Sequence, residues 1–255
     1  MHLLPTFLLP GTPPRIFWLW LMWRLVVLSV VFLVFFRVTP SLDIGVSRMF
    51  FDPDLCAGAK GWCAPFFGEH DPFLRVFQEA GVVMQRGVGL VTLLLGAGYL
   101  WTHRASLVRI RQTPTARMVC AAALSLFLGP ILLVNWILKA FWGRPRPRAT
   151  DLFLGDDPFI LPGTYTDYCL SNCSFVSGEA SGAFWFFALL PLLARFAGRD
   201  VAWAGGVVLA VLAAAIAYNR VVFGAHYLSD VVMAATLTLA IVAACHWWLS
   251  PRTHS

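Results

Sequence analysis

The sequence predicts an all-α membrane protein built as a bundle of six transmembrane helices. Of its 255 residues, 59% are hydrophobic and only 13% are charged. Its mean hydropathy is +0.73, which is unlike the balanced composition of water-soluble domains. Its apolar residues also form separate runs of about 20, the length that crosses about 30 Å of hydrocarbon.

Six apolar runs are long enough to span a bilayer. They cover residues 16–37, 80–101, 118–138, 175–194, 201–218 and 230–249. Each run is expected to be a helix, because backbone N–H and C=O groups that face lipid must be paired within their own segment. We interpret the whole chain, 1–255, as one integral membrane domain. The residues before Arg15 lack the features of a cleavable secretory signal, so the first span is expected to be retained.

Loop charge predicts the orientation of the bundle. The 102–118 segment carries four arginines and no acid, and the 195–200 loop adds two more arginines. Both are expected to face the cytoplasm, because positively charged loops stay on that side. Counting crossings then places three loops together on the outer side: about 38–79, 139–174 and 219–229.

The net charge of +6 does not indicate a nucleic-acid partner. Only two of the 19 basic residues are lysines, and outside 144–148 the chain has no dense basic run. Membrane topology explains the arginines better. The expected partner is the bilayer, with no nucleic acid.

Four of the six cysteines fall in the predicted outer loops. Cys56 and Cys63 lie in the first loop, and Cys169 and Cys173 lie in the second. An oxidising exterior would allow two local disulfides. The alternatives are four free thiols or a metal site, but the irregular spacing is unlike a zinc ribbon. No metal site is predicted.

A basic cluster follows the third predicted span, reading from Lys139 through Arg146 and Pro147 to Arg148. Basic residues often anchor span ends at the headgroups. This cluster, however, lies on the outer side, against the usual bias, and includes one of only two lysines. An anionic ligand outside the membrane would explain it.

The fourth predicted span begins near Ser177 and Gly178. Small residues at a helix start leave backbone N–H groups and the positive end of the helix dipole free for an anion. Small residues are equally common where membrane helices pack together. Taken alone, this segment favours packing slightly over catalysis.

The third segment joins the fifth and sixth spans and contains Arg220, His226 and Asp230. His226 and Asp230 are four residues apart, so in a helix they share one face, and the carboxylate can hold one imidazole nitrogen. The other nitrogen then remains available as a nucleophile or base. A single histidine at a span end is usually only an interfacial polar residue. The nearby ionisable partners favour a functional site, because such groups are costly at membrane depth.

Together the three segments read Lys-x6-Arg-Pro, Ser-Gly and Arg-x5-His-x3-Asp, a pattern that resembles the type 2 phosphatidic acid phosphatase (PAP2) superfamily over roughly 80–245. The resemblance implies a PAP2-like helical core, phosphatase activity and no cofactor. It implies a phosphohistidine at His226, oriented by Asp230. It assigns phosphate binding to five residues: Lys139, Arg146, Ser177, Gly178 and Arg220.

The chain departs from the family pattern in its second and third motifs. Val176 replaces a proline and Asn219 replaces a serine, and both changes are mild. Glu179 stands where the family has the histidine thought to protonate the leaving alkoxide. Three roles are open for it. It is the acid; it only pairs an arginine while water protonates the leaving group; or the protein binds lipid phosphate without fast turnover.

An outer site lined by tryptophans such as Trp136 and Trp142 is expected to take an amphiphilic phosphate. The resemblance implies lipid A, undecaprenyl diphosphate, phosphatidylglycerophosphate or phosphatidic acid as substrate classes. The long outer loops favour lipid A or a related precursor. The predicted location is the bacterial inner membrane, with the site facing the periplasm. The competing interpretation is a lipid-phosphate-binding membrane protein without catalysis.

Overall fold

The structure, a computed structural model, describes residues 15–58 and 63–251. Its α-helices are α1 (Arg15–Val38), α2 (Pro40–Arg48), α3 (Phe67–His70), α4 (Pro72–Thr102), α5 (Leu107–Gln112), α6 (Pro114–Leu126), α7 (Lys139–Phe141), α8 (Gly178–Trp185), α9 (Leu190–Ala197), α10 (Arg199–Val222) and α11 (Leu228–Leu249). Among the described residues, β structure is limited to two isolated bridges. The all-α prediction is confirmed. The prediction that concerns the residues before Arg15 lies outside the described part of the chain.

Six helical stretches are long and apolar enough to cross a membrane, as predicted. Four of them are the single helices α1, α4, α10 and α11. The third span runs Pro114–Phe141 and joins α6 to α7 through a π-helix, Phe127–Leu138. The fourth runs Gly178–Ala197 and joins α8 to α9 through a short 3-10 turn.

Two predicted loop boundaries were wrong. The second span begins at Pro72 rather than near residue 80, because Asp71 caps it by accepting a hydrogen bond from Leu74 N–H at 2.9 Å. The fifth span continues to Val222, so the outer loop predicted at 219–229 shrinks to 223–227. Arg220 therefore belongs to the last turn of α10.

The π-helix forms the second half of the third span. Pro130 lies inside it and has no N–H to donate. The side-chain amide of Asn135 donates to the Pro130 carbonyl at 2.6 Å, and so pairs a polar group within the span. Wider turns of this kind are frequent at functional sites. This one leads directly into Lys139.

The sixth span, α11, lies at the centre of the bundle and packs against α1, α6 and α8. Polar contacts join α8 to its neighbours. Trp185 Nε1 donates to the Ala122 carbonyl at 3.0 Å, and the hydroxyls of Ser181 and Thr238 lie 2.7 Å apart. Each buried hydrogen bond of this kind contributes about 1 kcal/mol. These contacts hold the start of the fourth span against the third and sixth.

Of the alternatives open for the loop cysteines, the structure has the two local disulfides, Cys56–Cys63 and Cys169–Cys173. They lie in the loops at one end of the bundle, where the first, third and fifth inter-span segments meet the starts of α4, α8 and α11. The four loop cysteines are therefore paired with each other. This end of the molecule also contains the three predicted functional segments.

Candidate active site

Backbone hydrogen bonds bring the three predicted segments together. Cys173 N–H donates to the Lys139 carbonyl at 3.1 Å, and Ser174 N–H donates to the Arg144 carbonyl at 2.8 Å. The chain leading into α8 is thereby held along the basic segment. Ser174 in turn contacts His226, from the turn between α10 and α11.

His226 is 2% exposed, and its Nδ1 lies 2.7 Å from the carbonyl oxygen of Ser174. Because a carbonyl can only accept, Nδ1 carries the proton and Nε2 keeps its lone pair. Burial lowers the pKa of His226 well below its ordinary value, and the charges of Lys139, Arg146 and Arg220 lower it further. The imidazole is therefore neutral and able to attack at physiological pH.

Asp230 does not hold the imidazole directly, which differs from the expectation based on spacing. Its Oδ2 lies 3.9 Å from His226 Nδ1. The same oxygen accepts from the hydroxyl of Ser174 at 2.5 Å and from Tyr227 N–H at 3.0 Å. Tyr227 is the N-cap residue of α11, so the carboxylate also caps that helix. Asp230 is thus connected to the histidine through Ser174.

Arg144 and Asp43 complete a buried network that the sequence analysis missed. Arg144 Nη1 lies 2.5 Å from Asp230 Oδ1, and its Nη2 lies 3.0 Å from Asp43 Oδ2. Asp43 also accepts from the N–H and hydroxyl of Ser229. Although burial acts to lower the pKa of Arg144, the two carboxylates outweigh it and raise that pKa. The sequence contained only a weak sign of this ion pair, namely an arginine and an acid, 101 residues apart, in two loops predicted to face outward.

Two predicted phosphate-binding cations meet at Asn172. Lys139 Nζ donates to Asn172 Oδ1 at 3.2 Å, and Arg146 donates to the Asn172 main-chain carbonyl from Nε at 3.0 Å and Nη2 at 2.8 Å. Burial first, then the charges of Arg148 and Arg220, lowers the pKa of Arg146 to about 10. It is still protonated at neutral pH. Mutually repelling cations of this kind favour an anion between them.

Arg220 and Glu179 form the third part of the cluster. Arg220 Nε lies 3.4 Å from Glu179 Oε1, and Gln78 Nε2 donates to the same oxygen at 3.4 Å. Among the described residues, Arg220 Nη1 has no hydrogen-bond partner. An unpaired guanidinium nitrogen in a buried position is costly unless a ligand meets it. Arg220 is therefore placed to bind an anion.

The start of α8 supplies backbone donors, but not the Ser177 N–H that was predicted. That N–H donates to the Asp230 carbonyl at 3.3 Å, while the Ser177 hydroxyl caps the helix by accepting from Ala180 N–H. The N–H groups of Gly178 and Glu179 precede the first intrahelical bond. A Cβ at Gly178 would lie 3.4 Å from Lys139 Nζ. The lysine thus approaches the positive helix end, an arrangement that an anion would stabilise.

Trp136 and Trp142, which were expected to line the site, and Asn219 of the third motif point elsewhere. Trp136 is 68% exposed on the outer surface of its helix, and Trp142 packs against Phe175. Asn219 donates from Nδ2 to the Leu74 carbonyl at 3.4 Å and so joins α10 to α4. The tryptophans therefore contribute to the lipid interface and to packing, rather than lining the site.

Comparison with known proteins identifies the family of the chain. The sequence profile described as the PAP2 superfamily matches residues 118–254. A curated protein from Rhizobium leguminosarum called lipid A 4'-phosphatase is 36% identical to this chain, over 90% of this chain and 92% of that protein. A protein of the same name from Francisella tularensis subsp. novicida is 32% identical, over 78% of this chain and 82% of that protein.

The fold has a solved counterpart. A transmembrane PAP2 type phosphatidylglycerolphosphate phosphatase from Bacillus subtilis superimposes with a TM-score of 0.51, at 17% identity, over 88% of this chain and 93% of that one. At this identity the likeness concerns the fold alone. The sequence profile and the curated relatives show that the protein belongs to the PAP2 superfamily.

Proposed function

We propose that this PAP2-superfamily membrane phosphatase removes the 4'-phosphate of lipid A, at the outer face of the bacterial inner membrane. The observation that carries the proposal is the buried, neutral imidazole of His226. Its Nε2 has no hydrogen-bond partner among the described residues, and the charges of Lys139, Arg146 and Arg220 act on the ring. The substrate assignment is supported by curated relatives that are called lipid A 4'-phosphatase. These residues form a site suited to phosphoryl transfer.

The reaction starts with attack by His226 Nε2 on the phosphorus. A P–N bond forms, the P–O bond to the sugar breaks, and its electron pair goes to the leaving alkoxide, which takes a proton from water. A second water then attacks the phosphohistidine and the P–N bond breaks. Its electron pair returns to the imidazole, and inorganic phosphate leaves. Splitting the hydrolysis in two replaces one difficult step by two easier ones.

The remaining residues bind the charge that develops on the phosphoryl oxygens. Lys139 and Arg146 now donate hydrogen bonds to Asn172, and in the complex they donate to the phosphate instead. Arg220 contributes the nitrogen that is unpaired among the described residues, and Gly178 contributes its N–H at the start of α8. Ser177 supports this helix end as its cap. Donors aimed at the oxygens before substrate arrives need no reorganisation during the reaction.

Glu179 is assigned to holding Arg220, with water as the proton donor to the leaving group. Both side chains that meet its Oε1, those of Arg220 and Gln78, are donors. The oxygen is therefore used as an acceptor. Of the three roles open from the sequence, this arrangement supports the pairing role.

The outward orientation is supported by the disulfides. Cys56–Cys63 and Cys169–Cys173 lie in the loops that surround the site. Disulfides persist in oxidising compartments such as the bacterial periplasm. The arginine-rich 102–118 segment lies at the opposite end of α4, consistent with a cytoplasmic location.

The test is release of inorganic phosphate by the purified protein from lipid A, undecaprenyl diphosphate, phosphatidylglycerophosphate and phosphatidic acid. We expect lipid A to react fastest and to lose one phosphate, located at the 4' position by mass spectrometry. His226→Ala should abolish release. Equal release by that variant would exclude the nucleophile, and tight lipid binding without release by the unmodified protein would favour the non-catalytic alternative.

A further inference from the structure

A cavity of about 450 Å³ leads from the phosphate site into the membrane. Lys139 and Glu179 line its outer end, whereas Leu93, Leu126 and Trp185 line the end deeper in their helices. It lies between α4, the third span and α8. A volume of this size is typical of small-molecule sites. Because Lys139 lines this cavity, one molecule can place its phosphate at Lys139 and the rest of its structure in the cavity.

One face of α4 forms a wall of this cavity. The lining residues recur every three or four positions, as on one helix face: Val82, Gln85, Arg86, Gly89, Leu90 and Leu93. Arg86 and Leu90 are exposed on the bundle surface. The cavity is therefore open sideways to the lipid.

A second cavity of about 390 Å³ continues along α4 from the shared residue Leu93. Every side chain that lines it is apolar, including Leu100, Ile110 and Phe127. The two cavities, which share Leu93, follow the second span inward from the phosphate site, and the lining becomes entirely apolar in the second one. A hydrocarbon chain attached to the phosphate-bearing headgroup matches that shape and polarity.

Gln85 and Arg86 are polar residues within this apolar wall. The Gln85 Nε2 is buried without a hydrogen-bond partner among the described residues. The Gln85 amide lies against Gly182 of α8, where a Cβ would collide with it. No hydrogen bond or ion pair joins Arg86 to another residue in the described part of the chain. Ionisable residues inside a membrane span are costly and usually serve a ligand.

The depth of these two residues indicates which part of a lipid they meet. Gln78, whose side chain reaches Glu179, precedes Arg86 by about 12 Å along α4. Arginine side chains on a helix point back toward its N-terminus, which here is the outer end. The guanidinium therefore lies just below the phosphate site. In an acylated lipid, the polar groups below the headgroup are the ester and amide carbonyls, which are acceptors for these two donors.

We propose that Gln85 and Arg86 form a subsite for the carbonyl groups that link the acyl chains of the substrate to its headgroup. The subsite makes the enzyme select acylated lipid phosphates over lipid phosphates whose chains carry no carbonyl, such as dialkyl ethers. This inference rests on the proposed function, because it takes the ligand of the phosphate site to be a lipid.

The test compares phosphatidic acid with its dialkyl ether analogue of equal chain length. Binding to the His226→Ala protein in detergent micelles is measured by isothermal titration calorimetry, so no lipid is consumed. We expect the diester to bind about tenfold more tightly, the effect of one hydrogen bond to a charged donor. In the same background, Arg86→Leu should remove this preference and leave the affinity for the diether unchanged. Arg86→Lys should keep part of it.

Arg24→Leu is the matched control, since Arg24 lies in the first span against Trp20 and away from the cavity. It should leave the preference intact. Equal binding of both lipids by the parent protein, a preference that survives Arg86→Leu, or an equal loss for both lipids in that variant would overturn the subsite. Phosphate release from lipid A by the unmodified protein tests the proposed function separately. Release without an ester preference rejects the subsite alone.

Discussion

The main-chain carbonyl oxygen of Ser174 lies 2.7 Å from Nδ1 of His226. That contact assigns the proton to Nδ1 and leaves Nε2 for attack. Ser174 is itself held from two sides, because its N–H donates to the Arg144 carbonyl and its hydroxyl donates to Asp230. The orientation of the proposed nucleophile therefore depends on a buried network that reaches back to α2.

Asp43→Asn tests this network from its far end. The change removes one of the two carboxylates that pair Arg144, so the placement of Asp230 and Ser174 should become less precise. We expect kcat to fall about tenfold with KM unchanged, and the free energy of unfolding to fall by about 1–3 kcal/mol. Steady-state phosphate release and thermal denaturation in detergent would measure the two effects.

Asp54→Asn is the control for that substitution, because Asp54 is an exposed acid elsewhere in the same outer loop. It should change neither quantity. A purely structural role for Asp43 would lower thermal stability and leave kcat per folded molecule intact. That result would remove Asp43 from the positioning of His226.

The protonation state of His226 gives a second prediction. Burial, followed by the charges of Lys139, Arg146 and Arg220, lowers its pKa, so the proton is gained only well below pH 6.5. The free enzyme should show no titration midpoint of this ring near pH 6.5. NMR of ¹³C-labelled histidine, assigned by the spectrum of His226→Ala, would measure it. A midpoint near 6.5 would show that the ring is not shielded from solvent.

The sequence was sufficient to identify candidate site residues that lie near each other along the chain. Arg220 and His226 were found because a six-residue spacing joins the end of one span to the turn before the next. Hydropathy placed the six spans but not the start of α4, because Gln78 and Glu79 lower the apolar average there. The local Asp71-Pro72 signal for a helix start was the better guide.

The sequence could not predict the contacts that depend on tertiary structure. Asp43 and Arg144 are 101 residues apart, and each alone resembles an ordinary charge in an outer loop. The spacing of His226 and Asp230 suggested direct contact, but His226 lies before α11 begins, so a shared helix face does not apply. The carbonyl of Ser174 contacts the imidazole instead. Because every residue has a main-chain carbonyl, a sequence does not reveal which one will act as the acceptor.

The Cys169–Cys173 disulfide gives a third prediction, because it encloses the Asn172 that contacts Lys139 and Arg146. Replacing both cysteines by serine should loosen this segment over the phosphate site. We expect KM for the lipid to change about threefold or more, with a smaller effect on kcat, since one contact to a charged group is altered. Replacing Cys56 and Cys63 instead is the comparison, and an equal KM change in both double variants would argue against a role for Asn172.

Glu179 gives a fourth prediction through its contact with Arg220. If the carboxylate only holds this arginine, Glu179→Gln preserves the acceptor oxygen and should reduce kcat less than about tenfold, whereas loss of a general acid costs about 10²–10⁴-fold. Glu179→Ala, which removes the acceptor, should raise KM by freeing Arg220 to move. Phosphate release from lipid A would measure both.

Glu179→His provides a sharper comparison, because it restores the residue that the PAP2 pattern has at this position. A histidine can donate a proton to the leaving alkoxide, so kcat should rise or stay level while the pH profile gains a limb that the parent lacks. A hundredfold loss in Glu179→Gln would instead identify Glu179 as the acid and reject the pairing role.

The proposed outward orientation gives the last prediction, to be tested with a membrane-impermeant maleimide. Tyr165, which is 71% exposed, lies in the loop beside the site, whereas Arg109 lies at the other end of the bundle on α5. Tyr165→Cys should be labelled in intact spheroplasts, and Arg109→Cys only after the membrane is opened. The parent should give little background, since Cys120 and Cys245 are buried and the other four cysteines are paired. The reverse labelling pattern would place His226 in the cytoplasm and exclude a periplasmic reaction.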